Sequence, residues 1–410
     1  MDYSVFTLSN GIRLIYKPSE SAVTHTCIVI NAGSRDEAEG KDGLAHFIEH
    51  LLFKRTARRS THQILNYLES VGGDLNAYTT KEYTCIHASF LNPYLKRAFD
   101  LLEDIVFHSV FPDKEMDKEK GVILDEIASY LDQPEEAIQD DFENLIFEGH
   151  ALGRNILGTE QTVPGLQKED IFSFLSSSYN TGSIVVGVTG KYEVKTLHRL
   201  FEQIFGPVPP NTGNLQRVVP SYKYSERRVS KPIAQTHCVI GKPAYSIHHP
   251  YRTPFLLLNN ILGGAGMSSV LNLTIREKYG IAYTIESSYT PLSDSGIFTI
   301  YFGTDAEKAE KALSLVNKQL KKFKEKRITE SELLRAKVKF NGLIALGEDN
   351  RLGLIITMAK SLIDYNRVDS LDEVFAKVNE VTSSQLIEIA NEMFEPSTLS
   401  TLIFEPEQDD

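Results

Sequence analysis

Hydrophobic positions along the chain recur either every second residue or every three to four residues, which predicts strands and amphipathic helices. Alternating apolar residues on both sides of Asn10-Gly11 predict a β-hairpin over residues 5–15, because Asn-Gly favours a tight turn between strands. The rest of the first half is predicted to hold a strand over residues 83–90 and helices over residues 43–53, 61–71, 93–107 and 111–131.

The second half of the chain repeats this order of elements. Its patterns predict strands over residues 281–289 and 296–302, helices over residues 254–262, 268–278 and 306–324, and a further helix from residue 328. A shift of 217 places Phe111 on Ile328 and Lys120 on Lys337, which indicates an internal duplication. We therefore predict an α+β fold of two homologous, sandwich-like α/β halves, each a mostly antiparallel sheet with helices on one face.

The clearest boundary between the halves is the segment 205–213, Phe-Gly-Pro-Val-Pro-Pro-Asn-Thr-Gly. Its three prolines and two glycines can continue neither a helix nor a central strand. About 205 residues remain on each side, enough for one hydrophobic core each. We predict an N-terminal domain over residues 1–206, a linker over residues 207–220 and a C-terminal domain over residues 221–410.

Composition narrows the class of protein. The chain is 41% hydrophobic and 24% charged, as globular proteins are, and its net charge of −12 argues against a nucleic-acid partner, which needs a basic face. No run of 18 apolar residues predicts a membrane span, and residues 1–6 lack the basic and apolar segments of a secretory signal. Three cysteines far apart, Cys27, Cys85 and Cys238, argue for a reducing compartment. We expect a cytoplasmic protein.

The helix predicted over residues 43–53 carries the most informative motif, His46-Phe-Ile-Glu49-His50. Positions i, i+3 and i+4 share one face of a helix, so the two imidazoles and the carboxylate converge while apolar residues face the core. Two histidines at this spacing can bind one Zn²⁺, and the glutamate beside them can act as general base. Because the motif lies on an amphipathic helix, we favour a metal site over a chance grouping.

A catalytic zinc normally has three protein ligands and one open position. Within the helix predicted over residues 111–131, the stretch 114–131 offers carboxylates at Glu115, Asp117, Glu119, Asp125 and Glu126. Most of them are expected to lie on a solvated helix face. Glu119 and Glu126 are seven residues apart and therefore share a face, but spacing alone does not choose the third ligand.

Three segments of the first half resemble the pitrilysin, insulinase and mitochondrial processing peptidase family of zinc metallopeptidases, the inverzincins. They are Gly-Ser-Arg-Asp-Glu at residues 33–37, Gly-Leu-Ala-His-Phe-Ile-Glu-His-Leu-Leu-Phe-Lys at residues 43–54, and Gly-Gly-Asp-Leu-Asn-Ala-Tyr-Thr at residues 72–79. The resemblance covers essentially the whole chain and is to the short, two-domain bacterial type. One departure is Arg55, where relatives usually carry glycine; it lies beside the motif and not in it.

The resemblance implies a set of roles. The chain is implied to bind one Zn²⁺ through His46, His50 and Glu126, with Glu49 as general base and Glu119 supporting the ligands from behind. The second half is implied to be catalytically silent while it completes the substrate chamber. In agreement, the shift of 217 brings Gly263 opposite His46, Gly266 opposite Glu49 and Leu343 opposite Glu126, none of which is a metal ligand.

Further residues are implied to bind substrate. Arg276 and Tyr283, seven apart, match a family signature whose guanidinium and hydroxyl could hold a peptide carbonyl or the oxyanion formed from it. Without the resemblance they read as a surface arginine and a half-buried strand tyrosine. Asn76 and Ala77 resemble a substrate-binding edge strand, although a turn asparagine is an equal alternative on local grounds. Glu82 is expected to be an exposed strand residue or a support for the metal ligands.

The leading functional hypothesis is a zinc metalloendopeptidase that cleaves short or unfolded peptides. The alternative is a non-catalytic family member acting as a peptide-binding or assembly subunit, but such members have usually lost part of the motif that this chain retains. A zinc-dependent hydrolase of non-peptide amides has no supporting motif. We further expect a clamshell homodimer, because this chain carries both the zinc motif and the Arg/Tyr pair that lie at opposite ends of relatives twice its length. The rival is a heterodimer with a partner that lacks the zinc motif.

Overall fold

The structure is a computed structural model that describes residues 3–213 and 215–407. The described residues form two compact units. Unit 1 consists of the described residues within Met1–Ile127, Arg154–Arg217 and Leu346–Asp369. Unit 2 consists of those within Ala128–Gly153, Val218–Ala345 and Ser370–Asp410. No helix in the described part of the chain is long and apolar enough to cross a bilayer.

The described residues form eleven strands and thirteen α-helices. The strands are β1 (Ser4–Thr7), β2 (Arg13–Pro18), β3 (Val23–Ile30), β4 (Asp74–Thr79), β5 (Thr84–Leu91), β6 (Ile184–Gly190), β7 (Glu226–Lys231), β8 (Thr236–Pro243), β9 (Ala282–Pro291), β10 (Gly296–Thr304) and β11 (Ser400–Pro406). The helices are α1 (Leu44–Leu52), α2 (Thr61–Glu69), α3 (Leu95–Phe107), α4 (Asp113–Leu131), α5 (Pro134–Ile146), α6 (Lys168–Ser178), α7 (Val194–Phe205), α8 (Arg252–Gly263), α9 (Ala309–Glu325), α10 (Glu330–Gly347), α11 (Arg351–Tyr365), α12 (Leu371–Asn379) and α13 (Ser383–Met393), with a π-helical segment at Asn272–Glu277.

Unit 1 is built on a six-stranded sheet of order β1-β2-β6-β3-β5-β4, in which only the β2–β6 pair is parallel. The predicted hairpin is present: β1 and β2 pair from Ser4↔Tyr16 to Thr7↔Arg13, and Gly11 adopts a φ of 95° in the connection. The core of one face is made by apolar side chains of the sheet and of α1, α2, α3, α6 and α7. This confirms the α+β class and the mostly antiparallel sheet.

The second face of this sheet is also covered, which differs from the prediction of helices on one face. Helix α11 packs there, and Ile355, Met358 and Leu362 bury against Cys27 and Val185 of the sheet. The sequence places α11 beyond the Pro/Gly segment, in the half of the chain that supplies unit 2. The apolar stripe of α11 packs on strands that lie more than 150 residues earlier in the chain. Local patterns therefore do not reveal which sheet it covers.

Unit 2 contains a five-stranded sheet of order β7-β11-β8-β10-β9, with β7 and β11 parallel. This is the order β2-β6-β3-β5-β4 of unit 1, strand for strand. Here α5, from the first half of the chain, packs with the sheet through Phe142, Val239 and Leu402. The compact units therefore do not follow the linear division at residues 207–220, because the two halves exchange equivalent helices.

The repeat is regular only in its later part. A shift of 217 carries the start of α4 onto the start of α10 and the start of α5 onto the start of α11. The helix α1, however, corresponds to α8, which begins 208 positions later at Arg252. The assignments of Gly263 opposite His46 and of Gly266 opposite Glu49 are therefore wrong, since the repeats differ in length between these helices and α4 or α10.

The segment predicted as a linker is fixed to unit 1 where the structure describes it. Asn211 donates to the carbonyls of Leu175 and Tyr179, and the guanidinium of Arg217 pairs with Asp36 at 2.8 Å. Asn10 donates to the carbonyl of Val208. The Pro/Gly composition prevents regular structure, but polar side chains supply the hydrogen bonds that a helix or a sheet would have made.

Candidate metal centre

Helix α1 presents one apolar and one polar face. Leu44, Phe47, Ile48 and Leu51 are buried in the core of unit 1. The i, i+3 and i+4 positions carry His46, Glu49 and His50 on the opposite side, as the motif predicts. The amphipathic pattern thus fixes how the helix docks, and docking turns the two imidazoles away from the core.

The start of α1 is held by a buried carboxylate that sequence reasoning left without a role. Gly43 precedes the helix with a φ of 92°, and a side chain there would collide with the carbonyl of Leu157 at 2.7 Å. The carboxylate of Glu37 accepts from the backbone N–H groups of Gly43, at 3.1 Å, and Ala45, at 2.8 Å. Burial raises the pKa of Glu37, and these two hydrogen bonds oppose the rise. A carboxylate close before a glycine-initiated helix is the signal that could have indicated this cap.

Glu126 of α4 meets the two histidines. Its Oε2 lies 3.8 Å from Nε2 of His46 and 3.6 Å from Nε2 of His50, and the two Nε2 atoms are 3.2 Å apart. Ligands at zinc distances in a tetrahedral site stand about 3.3 Å apart, so these separations match three corners of a tetrahedron. Within the described residues this is the one group of three or more such side chains close enough to hold a metal ion.

Two nitrogens and one carboxylate oxygen are a donor set that zinc prefers. Burial, and then the neighbouring charge of His50, lower the pKa of His46 to about 3, so its imidazole is neutral and available as a ligand near neutral pH. The carboxylates of Glu115, Asp117 and Asp125 do not join this group. Among the carboxylates that spacing left open, the geometry brings Glu126 to the histidines.

Glu119 lies one step behind the ligand atoms. Its carboxylate is buried, with Oε2 at 3.3 Å from Nδ1 of His50 and Oε1 at 2.8 Å from the ammonium of Lys54. If Nε2 of His50 faces a metal, Nδ1 carries the proton and donates a hydrogen bond to Glu119, which fixes the orientation of the ring. The contact of Lys54 with Glu119 depends on how α1 and α4 dock, which sequence spacing does not give.

Glu49 is close to the ligands but turns toward β4. Its Oε2 accepts a hydrogen bond from the hydroxyl of Thr79 at 2.6 Å. Burial raises the pKa of Glu49, while the Thr79 hydrogen bond and the neighbouring His50 lower it in part. Sequence reasoning does not identify Thr79 as a site residue; the one signal is its place at the end of β4, the strand that resembles a substrate-binding edge strand.

Strand β4 is an edge strand of the unit 1 sheet, and it packs beside α1. Asn76 is exposed on this strand and Ala77 is half-buried. The side-chain oxygen of Asn76 accepts from the backbone N–H of Ala77 at 2.8 Å. The free edge therefore runs along the helix that carries the histidines.

The Arg/Tyr pair lies in unit 2. Arg276 lies in the π-helical segment and is exposed, and Tyr283 on β9 is 56% exposed. The hydroxyl of Tyr283 donates to Asp305 at 3.0 Å, and this hydrogen bond raises the pKa of the tyrosine. Lys308 pairs with the second oxygen of Asp305 at 2.5 Å. Single-turn π segments are frequent at functional positions.

The expectation that Glu82 is exposed on a strand is wrong. It lies in the turn between β4 and β5, is 6% exposed, and pairs with the buried guanidinium of Arg35 at 2.5 Å. A buried carboxylate needs such a partner, since an unpaired charge in the interior is costly. The ion pair with Arg35 supports the loop 33–37.

Family models match both halves of the chain. A model described as insulinase, peptidase family M16, matches residues 13–160, and one described as peptidase M16 inactive domain matches residues 165–340. Among curated relatives, the uncharacterized zinc protease YmxG of Bacillus subtilis is 30% identical over 390 residues, 95% of each chain. An uncharacterized zinc protease of Rickettsia felis is 30% identical over 407 residues, 98% of this chain and 97% of its own.

Two solved structures have the same fold. One, titled as a peptidase M16 inactive domain from Pseudomonas fluorescens, superposes with a TM-score of 0.90 at 20% identity and covers 100% of this chain and 98% of its own. The other, a protease from Helicobacter pylori, gives 0.89 at 22% identity and 99% coverage of both.

The chain thus has the fold of the two-domain M16 proteins and a donor set suited to one metal ion. The chain belongs to peptidase family M16, the insulinase family. Relatives along its whole length are named zinc proteases, which supports a peptidase that uses zinc.

Proposed function

We propose that the protein is a zinc metalloendopeptidase that cleaves short or unfolded peptides. The observation that carries this proposal is the convergence of Nε2 of His46, Nε2 of His50 and a carboxylate oxygen of Glu126 within 4.8 Å of one another, with Glu49 on the same helix face. Three ligands with a general base beside them are what a hydrolytic zinc site requires, whereas a structural site has four protein ligands.

In this proposal each chain holds one Zn²⁺ through these three side chains. When bound, the ion polarises the scissile carbonyl and lowers the pKa of water toward neutrality. Glu119 and Lys54 hold the ring of His50 in the ligand orientation, and the neutral state of His46 removes the need to expel a proton before binding. The remaining chemistry belongs to the protein.

Glu49 is the general base in this proposal. Burial raises the pKa of its carboxyl, and a base with a raised pKa accepts a proton more readily. It takes a proton from the attacking water and passes it to the nitrogen of the leaving amine. The hydroxyl of Thr79 keeps the carboxylate in one orientation, which lowers the cost of positioning it for each transfer.

Edge strand β4 is proposed to bind the substrate. An extended peptide that adds to a free edge gains main-chain hydrogen bonds that do not depend on its sequence. Short or unfolded peptides are favoured, because their main-chain groups are not already paired within a folded structure. Asn76 and Ala77 would lie along the bound peptide, and Arg276 and Tyr283 are proposed to hold its carbonyl oxygen.

The test is cleavage of quenched fluorescent peptides by the zinc-loaded protein, with and without a chelator. We expect turnover that chelation abolishes and added zinc restores. Glu49→Gln should keep one zinc per chain by elemental analysis and lose about 10²–10⁴-fold in kcat, since general-base catalysis is worth that much. His50→Ala, as the matched comparison, should lose the metal. A zinc-loaded wild type that binds peptides without cleaving them would favour the non-catalytic alternative.

A further inference from the structure

A polar hollow separate from the metal centre lies in unit 1, between α2, the loop before it and α3. Its volume is about 400 Å³. Arg58, Arg59, His62 and Arg97 line it together with polar side chains and Tyr67. No carboxylate lines it among the described residues. In a chain with a net charge of −12, a hollow lined only by cationic and neutral groups is a local arrangement and not a reflection of the composition.

Two of the guanidinium groups are fixed from behind. Arg58 bonds through Nε to Asp104 at 2.8 Å and through Nη2 to Glu103 at 2.5 Å, and Arg59 pairs with Asp104 and Asp100. Asp104 is fully buried, whereas Asp100, which also accepts from the hydroxyl of Tyr67 at 3.0 Å, is about a third exposed, so the charges of Arg58 and Arg59 are partly compensated by these carboxylates. These ion pairs hold the guanidinium groups in place and lower the entropy that a ligand would have to remove.

Arg97 has no such partner. Among the described residues it makes no ion pair; it donates to the hydroxyl of Ser70 at 2.9 Å, and its buried Nε has no acceptor. Its guanidinium lies 4.6 Å from the ring centroid of Tyr67, and the guanidinium of Arg59 lies 4.3 Å from the same centroid. One aromatic ring thus positions two cations, of which Arg97 keeps unused donors.

We propose that this hollow binds a phosphate-type oxyanion, either a free inorganic anion or the phosphate group of an ester. Planar guanidinium forks match the oxygens of phosphate, and charge-assisted bonds to it are stronger than bonds between neutral groups. A cation is disfavoured because the charged side chains of the lining are donors. None of the lining residues belongs to the proposed zinc site, so this inference goes beyond the proposed function.

The test is calorimetric titration of the zinc-loaded full chain at low ionic strength with inorganic phosphate, pyrophosphate and ADP. We expect saturable binding of one anion per chain that weakens as salt is added. Arg97→Gln should weaken it at least tenfold. Arg199→Gln, which removes the same charge from an exposed position on α7, should leave it unchanged. Tighter binding of ADP than of pyrophosphate would identify the ester, and the reverse order the free anion.

Three results would overturn the proposal. They are the absence of saturable binding to any of the three anions, an equal effect of Arg97→Gln and Arg199→Gln, and binding that persists in Arg97→Gln but disappears when zinc is removed. Tighter binding of a polyglutamate peptide than of the phosphates would also exclude it. Should Arg97→Gln fail to fold, Arg97→Lys carries the test: it keeps the charge, loses the fork, and is expected to bind more weakly than wild type.

Discussion

At the scale of single residues, Lys54 offers a test of how the zinc ligands are held. Replacing it with methionine keeps much of its length but leaves the buried carboxylate of Glu119 without its cation. His50 then loses a fixed acceptor, and we expect zinc affinity to fall about 10–100-fold, as it does when outer partners of metal ligands are removed. Competition with a chromophoric chelator measures this. Lys118→Met, an exposed change one residue before Glu119, should leave the affinity unchanged.

Asp104 gives a prediction about pH and stability. Burial alone would raise its pKa, but hydrogen bonds from Arg58, Arg59 and Thr56 outweigh burial and lower it below the usual value. A carboxyl whose pKa is lowered by folding stabilises the protein fully above its unfolded pKa, about 3.9. This stabilisation is lost as the pH falls through the lower pKa of the folded state.

Asp104→Asn should therefore cost about 3–5 kcal/mol at neutral pH, because it removes one partner from a buried ion cluster. The difference in unfolding free energy from wild type should shrink below about pH 4. Urea unfolding between pH 2.5 and 7 measures both effects. Glu160→Gln, at an exposed position, serves as the comparison, and a difference for Asp104→Asn that stays constant with pH would contradict the assignment.

Residue patterns predicted the site where its parts are local. His46, Glu49 and His50 share one helix face by spacing alone, and the structure has that face as expected. Choosing Glu126 required the resemblance, because helix α4 carries several carboxylates and spacing alone does not choose among them. Thr79 and Lys54 could not be predicted, since each contact depends on how two elements dock.

At the scale of elements, substitutions at two glycines distinguish the effect of packing on stability from the effect of helix propensity. In β6, a Cβ on Gly187 would lie 2.7 Å from Sγ of Cys27 and 2.9 Å from a side-chain carbon of Ile355 in α11. On α4, a Cβ on Gly121 would meet nothing within 4 Å. The first glycine is required by a close approach between strand and helix, and the second is not.

Gly187→Ala is therefore expected to destabilise the protein by about 1–3 kcal/mol, the usual cost of overpacking a core. Gly121→Ala should stabilise it by about 0.5–1 kcal/mol, because alanine loses less entropy than glycine in a helix. Denaturant midpoints of the two variants measure these shifts. Equal changes in the free energy of unfolding for the two variants would contradict the close packing of α11 against β6.

Most elements were predictable because their periods are local, including the hairpin, α1 and both strands β9 and β10. The partner of α11 was not. Its stripe of Ile355, Met358 and Leu362 shows that it is amphipathic, but an apolar stripe does not identify the sheet that covers it. Nor did one constant shift align the repeats, because the lengths between α1 and α4 and between α8 and α10 differ.

At the scale of the whole molecule, the homodimer remains a proposal with a direct test. If Arg276 and Tyr283 of one chain complete the zinc site of another, mixing inactive Glu49→Gln chains with inactive Tyr283→Phe chains should restore activity. A mixed dimer would then hold one site with both residues intact. Subunit exchange is followed by native mass spectrometry. Exchange without recovered activity would place the pair in its own chain's site or remove it from the reaction.

The reciprocal exchange of α5 and α11 has a consequence for the order in which the chain is made. The sheet face that α11 covers, with Cys27, Val29 and Val185, is complete once β6 has been synthesised, but its cover ends only at Tyr365. At ribosomal rates of about 5–20 residues per second, the roughly 175 residues in between take about 9–35 s. During that interval the nascent chain exposes an apolar sheet that a holding chaperone would bind. A chain released after residue 206 would never cover it.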